Sequence, residues 1–195
     1  MLDTLVQWRR AIESSDILER LDLKPENYAV LTTHRAENVD DLGRLAEIVA
    51  AVMKSRILTV FPVHPRTKKN LLKFGLWSKL TKSDRFLPIS PLDYIDMLSL
   101  VKNSRLLLTD SGGMQKEAFL LQVPCLTLRK ETEWKETLVM GANKLVGACR
   151  AKIVREMEKI LANENAKRRL SGLKNPFGDG HASRRITRTL FRICR

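Results

Sequence analysis

The chain has 195 residues, 35 Lys and Arg against 22 Asp and Glu, a formal charge of +13, and 44% hydrophobic with 29% charged residues. That is length for one substantial domain, and the composition excludes a disordered, collagen-like or disulfide-stapled chain. No apolar run approaches the roughly 18 residues of a membrane span, and the opening residues lack the order of a secretory leader, so a cytoplasmic protein without a membrane segment is expected.

Before residue 28, Leu2, Leu5, Val6, Ile12, Ile17, Leu18 and Leu21 recur among charges and predict a helical lead-in over 1–27 that ends near Pro25. Strand and helix patterns then alternate. Tyr28–Thr33 reads as a β-rich run, Asp41–Ser55 as an amphipathic helix, Ile57–Val63 as a second strand stopped by prolines, and 68–74 as a short helix. Pro91 to Asn103 reads as a helix with proline in its first turn. Arg105–Thr109 is too apolar for a half-exposed strand and is expected at the centre of a parallel sheet. A glycine turn and helix follow over 110–121, then a strand at 124–128, a helix at 133–140, a strand at 144–146 and a helix over 152–170. After a break at 175–180, a last helix spans 182–194. The expected architecture is therefore α/β, a single Rossmann-like doubly wound parallel sheet.

Ligands of open parallel sheets bind at the carboxyl ends of the strands, so polar residues just after strands are the candidates for function. Asp110-Ser111-Gly112-Gly113 follows the most apolar strand and opens a helix, an arrangement that suits phosphate as well as simple close packing. Glu117, one turn on, has the two oxygens needed to accept a ribose diol. His34 and Arg35 follow the first strand, where they could hold a diphosphate or move a proton, with Glu37 just beyond. His64, between two prolines after the second strand, reads as a site residue or as a turn facing solvent. Cys125, Cys149 and Cys194 are odd in number and lack metal-ligand spacing, which argues against both a disulfide framework and a metal site.

Seven motifs, Thr-His-Arg-Ala-Glu-Asn (33–38), Val-His-Pro (63–65), Leu-Asp-Tyr (92–94), Thr-Asp-Ser-Gly-Gly-Met-Gln-Lys-Glu-Ala (109–118), Arg-Lys-Glu-Thr-Glu-Trp (129–134), Leu-Val-Gly (145–147) and Asn-Pro-Phe-Gly-Asp-Gly (175–180), occur in an order that resembles the non-hydrolysing UDP-N-acetylglucosamine 2-epimerases. The resemblance implies the C-terminal domain of a two-domain, glycosyltransferase-B-like fold, with a UDP-binding unit over 28–175 and a crossover helix over 176–195. It implies interconversion of UDP-N-acetylglucosamine and UDP-N-acetylmannosamine by elimination and re-addition of UDP, without a cofactor or metal, in the supply of cell-surface polysaccharide precursors. By the same resemblance His34 is the active-site histidine beside the diphosphate. Ser111, Gly112 and Gly113 are the phosphate turn, Glu117 takes the ribose, and Leu92 and Met97 lie at the uracil end. Arg35, Glu37, His64 and Arg129 are further candidates, His64 falling near a regulatory substrate site of some bacterial members. Two positions depart from the family pattern: Trp134 stands where an arginine is common, and Lys116 where a glutamate is frequent.

The carboxylates expected to move the C2 proton belong to an N-terminal half that the resemblance does not find here. The expected partner is thus a polypeptide carrying that half, or another copy of the chain, and the chain alone is expected to be inactive. The nucleotide-binding half of a split glycosyltransferase, or an inactive UDP-binding fragment, are the alternative readings. Nine of the thirteen net positive charges lie in residues 150–195. They are spread over helical patterns without interleaved aromatics, which disfavours nucleic acid and fits a solvated face or a surface that meets an acidic partner.

Overall fold

The computed structural model describes residues 1–194. From the amino terminus the elements run α1 (Leu2–Ser14), α2 (Ile17–Arg20), β1 (Tyr28–Thr32), α3 (Ala36–Val39), α4 (Leu42–Lys54), β2 (Leu58–Pro62), α5 (Pro65–Lys73), α6 (Trp77–Thr81) and β3 (Phe86–Ile89). They continue with α7 (Tyr94–Lys102), β4 (Leu106–Thr109), α8 (Gly112–Leu120), β5 (Cys125–Thr127), α9 (Lys135–Val139), β6 (Asn143–Leu145), α10 (Arg150–Ala162), α11 (Ala166–Ser171) and α12 (Ala182–Ile193). The six strands form one parallel sheet in the order β3-β2-β1-β4-β5-β6.

Side chains alternate across the strands, and both faces are apolar because helices cover both. Ala29, Leu31, Phe61, Leu106, Leu108 and Leu126 face Leu45, Ile48 and Val52 of α4, Leu71 of α5, and Ile153 and Met157 of α10. Val30, Val60, Leu107 and Cys125 face Leu100 and Val101 of α7 and Ala118 of α8. The lead-in helix α1 joins this second layer by seating Leu5 and Ile12 on Leu98 of α7. β4 is fully buried between β1 and β5, as its unbroken apolar sequence requires. Burial pushes the Cys125 thiol up to about 12, which removes it as a nucleophile.

The structure departs from the sequence reading in several places: the short helix α3 was not expected, and α5 starts at Pro65 rather than 68, because His64 caps it there. Phe86–Ile89 is an edge strand despite Pro88. Thr59 and Val63 of the β2 side donate to the carbonyls of Arg85 and Ile89, so Pro88 points its missing N–H outward, where proline is tolerated. Helix α7 begins at Tyr94, because the Asp93 side chain accepts from Asp96 N and caps it there, leaving Pro91 in the preceding loop. The helix expected over 152–170 is two, α10 and α11, interrupted at residues 163–165, where Asn163 caps the turn through its side chain. The five-residue helix α6 carries too little periodicity to be read from sequence.

Candidate functional site

All six strands run the same way, so their carboxyl ends form one rim, and β1 and β4 part there: the chain leaves β1 toward β2 on one side and β4 toward β5 on the other. Such a reversal opens a crevice between the two following loops. The crevice is built around Asp110, which has no solvent exposure. Its carboxylate accepts from Thr33 Oγ1 (2.6 Å), the backbone N–H groups of His34 and Arg35 (both 3.1 Å) and Asn38 Nδ2 (3.0 Å). One acid thereby ties the loop after β1 to the loop after β4. Asn38 extends the tie to β5 by donating to the Leu128 carbonyl, and Thr67 of α5 donates to the carbonyl of Thr33.

His34 emerges from this knot half exposed, with Nδ1 3.4 Å from Asp110 Oδ1. That carboxylate favours the proton on Nδ1 and leaves Nε2 directed away from it. His64 comes to the same rim from the end of β2, its ring 5.7 Å from that of His34. Its Nδ1 accepts from Arg66 N and caps α5, so when neutral it carries its proton on Nε2. The sequence placed both histidines after strands, and the structure brings them side by side.

The turn after β4 leads straight into α8. Ser111 is the N-cap, its side chain accepting from Met114 N, and the first-turn N–H groups of Gly112 and Gly113 have no acceptor within the helix. A Cβ at Gly112 would lie 3.2 Å from Glu133 Oε2, a close approach that a larger residue could meet only if the Glu133 side chain gave way. Glu117 lies one turn along α8, buried, and accepts from the Tyr94 hydroxyl at 3.0 Å. Burial raises the Glu117 carboxyl above its usual range and the tyrosine donor partly opposes this; burial and the facing glutamate push Tyr94 up to about 12. Leu92 precedes α7 and Met97 lies on it, both half-buried against the apolar layer that includes Leu100 and Ala118.

Arg129, after β5, is nearly buried and forms a cationic core for the loop. It donates to both Glu133 oxygens at 2.9 Å and stands 4.0 Å from Glu37, while Arg35 stands 4.0 Å from Glu133. A backbone hydrogen bond and then Arg129 hold the Glu133 carboxyl below the usual range. Among the described residues no three His, Cys, Asp or Glu side chains converge as a metal would require, and no helix is long and apolar enough to cross a membrane.

The profile of the family described as UDP-N-acetylglucosamine 2-epimerase matches residues 1–191. The chain belongs to the UDP-N-acetylglucosamine 2-epimerase family. A UDP-N-acetylglucosamine 2-epimerase homolog of Methanococcus maripaludis is 41% identical over 193 residues, which are 97% of this chain and 52% of that protein. The UDP-N-acetylglucosamine 2-epimerase of Methanocaldococcus jannaschii is 45% identical over 169 residues, 85% of this chain and 44% of the relative. A crystal structure of the enzyme from M. jannaschii in complex with UDP-GlcNAc and UDP superposes with a TM-score of 0.87 at 39% identity, covering 98% of this chain and 52% of that one. This epimerase-family chain thus spans about half the length of the relatives it matches.

Sequence reasoning missed two members of the site. Asp110 was singled out only as part of the glycine turn, although an acid directly after a leucine-rich central strand is itself a signal of a buried hub. Tyr94, the partner of Glu117, lay in a recognised motif but carried no assigned role.

Proposed function

We propose that this chain is the UDP-binding half of a non-hydrolysing UDP-N-acetylglucosamine 2-epimerase, with residues 28–175 as the nucleotide unit and 176–195 as the crossover helix. The observation that carries this reading is the Ser111-Gly112-Gly113 turn at the reversal point of the sheet, with His34 and Glu117 flanking it. The free N–H groups and positive dipole end of α8 suit the β-phosphate, and the two oxygens of Glu117 suit the ribose hydroxyls. Arg35, Glu37, His64 and Arg129 ring the same crevice, and Leu92 and Met97 offer an apolar edge for the base.

In this reaction the C2 proton leaves to a base and the C1–O bond breaks, giving a 2-acetamidoglucal and UDP; re-addition protonates C2 from the opposite face. The groups on this chain serve the leaving nucleotide. As the C1–O bond breaks, negative charge develops on the β-phosphate oxygen. Preorganised N–H donors with the His34 imidazole beside them stabilise that charge without reorganising at the moment of reaction. The base and the second wall of the cleft come from a partner polypeptide carrying the other half, or from another copy of the chain. The chain alone is therefore expected to bind UDP and not to turn over UDP-N-acetylglucosamine.

Calorimetric titration with UDP, repeated on Ser111→Trp and followed by an epimerisation assay, tests the reading. Binding that the substitution abolishes, without turnover, is expected. A chain that binds no UDP overturns the reading in favour of an inactive fragment, and steady turnover by the chain alone overturns the requirement for a partner.

A further inference from the structure

Lys116 of α8 and Trp134, from the loop after β5, meet in space. The Lys116 ammonium lies 4.5 Å from the centre of the Trp134 ring system and 4.4 Å from that of Phe177. Trp134 and Phe177 pack edge to face at 5.6 Å, and Phe177 packs the same way on Phe119 at 5.5 Å. The cation thus touches two rings, and each ring touches another group that fixes it. Held in this way, the indole donates Nε1–H to the Gly112 carbonyl at 2.6 Å.

That carbonyl belongs to the peptide unit whose other end is the Gly113 N–H. The unit is planar and trans, so fixing the oxygen fixes the direction of the hydrogen on the far side. Two successive glycines are the most mobile residues a helix could start with, and a free Gly-Gly turn would lose orientational freedom on meeting a ligand. A donor on the carbonyl also polarises the N–H across the plane, strengthening the bond it can give.

We propose that Trp134 is a positioning residue for the phosphate turn, aiming the Gly113 N–H into the crevice, and that Lys116 and Phe177 act by holding the indole. The ligand group it serves is the diphosphate of a nucleotide, which deepens the function proposed above and rests on it. The segment 175–180, which the site had not used, becomes part of the binding apparatus through Phe177, although that residue faces no ligand itself. Trp134 and Lys116 are then one device in which a neutral donor and a caged cation together orient the turn.

Trp134→Phe keeps a ring for Lys116 and Phe177 and removes only the N–H. UDP binding by calorimetry is expected to weaken about three- to tenfold, the range for one net hydrogen bond. Uridine, which lacks phosphate, is expected to bind both proteins equally by ligand-detected NMR. Lys116→Met, which keeps the stem and removes the charge, is expected to shift UDP in the same direction and to leave uridine unchanged, so the test does not hang on one variant folding. Two outcomes overturn the inference alone: UDP binding by Trp134→Phe as tight as by the unmodified chain, or UDP and uridine weakened by the same factor, the mark of a purely structural residue. Absence of UDP binding by the unmodified chain overturns the proposed function and this inference with it.

Discussion

Replacing Asp110 by asparagine keeps the shape of the side chain and changes its chemistry where the loops after β1 and β4 are joined. With its oxygen in the position of Oδ2, the amide can still accept from Thr33, Arg35 and Asn38. Each of those bonds loses its charge assistance, falling from about 1.5–3 to about 0.5–1.5 kcal/mol. Its NH2 group then takes the place of Oδ1 and turns a donor toward His34 N, which costs about 1 kcal/mol because that N–H keeps its 3.2 Å contact with the oxygen in the Oδ2 position. The bonds share one partner and do not add fully, which leaves an expected loss of about 3–5 kcal/mol. That is a large part of the 5–15 kcal/mol typical of a domain. Urea denaturation of Asp110→Asn beside Thr33→Val, which removes a single bond, measures it. A loss below about 1 kcal/mol for Asp110→Asn, or one no larger than that of Thr33→Val, would refute the assignment of Asp110 as the hub.

Glu156 of α10 is nearly buried and receives Lys144 (2.6 Å), Arg155 (2.9 Å) and Lys159 (3.2 Å), led by Lys144 in lowering its carboxyl to about 2. A depressed acid stabilises the fold above its unfolded value and loses that contribution as pH falls through the folded one. Stability should therefore decline between about pH 5 and 2, and Glu156→Gln should remove about 1–2 kcal/mol of the difference, the full shift being discounted because the three cations are exposed. An identical pH profile for the variant in chemical denaturation would contradict this. On α12, Ile186, Leu190 and Ile193 share one face and are 60%, 56% and 74% exposed, with Arg184, Arg185, Arg188 and Arg192 on the opposite face. The chain alone is expected to self-associate through this stripe, and Ile186→Glu with Leu190→Glu to yield a monomer by sedimentation velocity; a clean monomer of the unmodified chain at high concentration would sink the expectation.

What the sequence disclosed and what it hid follow from range. The turn at 110–113 and the apolar strand before it were legible because both signals are local: glycines where the backbone must come close, and three leucines in a row where both sheet faces are covered. The pairing of His34 with His64 was out of reach, since it depends on β1 and β2 lying side by side. Arg129 could be named as a candidate, but its burial against Glu133 and Glu37 required the fold of the loop. Trp134 is legible in the sequence only as a tryptophan where an arginine is common, and the contact its indole N–H makes with the Gly112 carbonyl depends on the fold of the loop after β5. The division of the last long helix pattern into α10 and α11 escaped because the residues on either side of 163–165 continue a helical rhythm that the turn interrupts.

The two outer strands share a property with consequences beyond the site. β3 turns the nitrogen of Pro88 toward open solvent, and β6, at the other margin, is three residues long with an exposed lysine, Lys144, at its middle. A proline removes a donor that an incoming strand would need, and a short strand bearing a charge gives it little to align with. Both margins therefore disfavour further strand addition. A sheet so protected is a poor seed for fibres at either end, which favours the helices as the surfaces through which copies of this chain would meet.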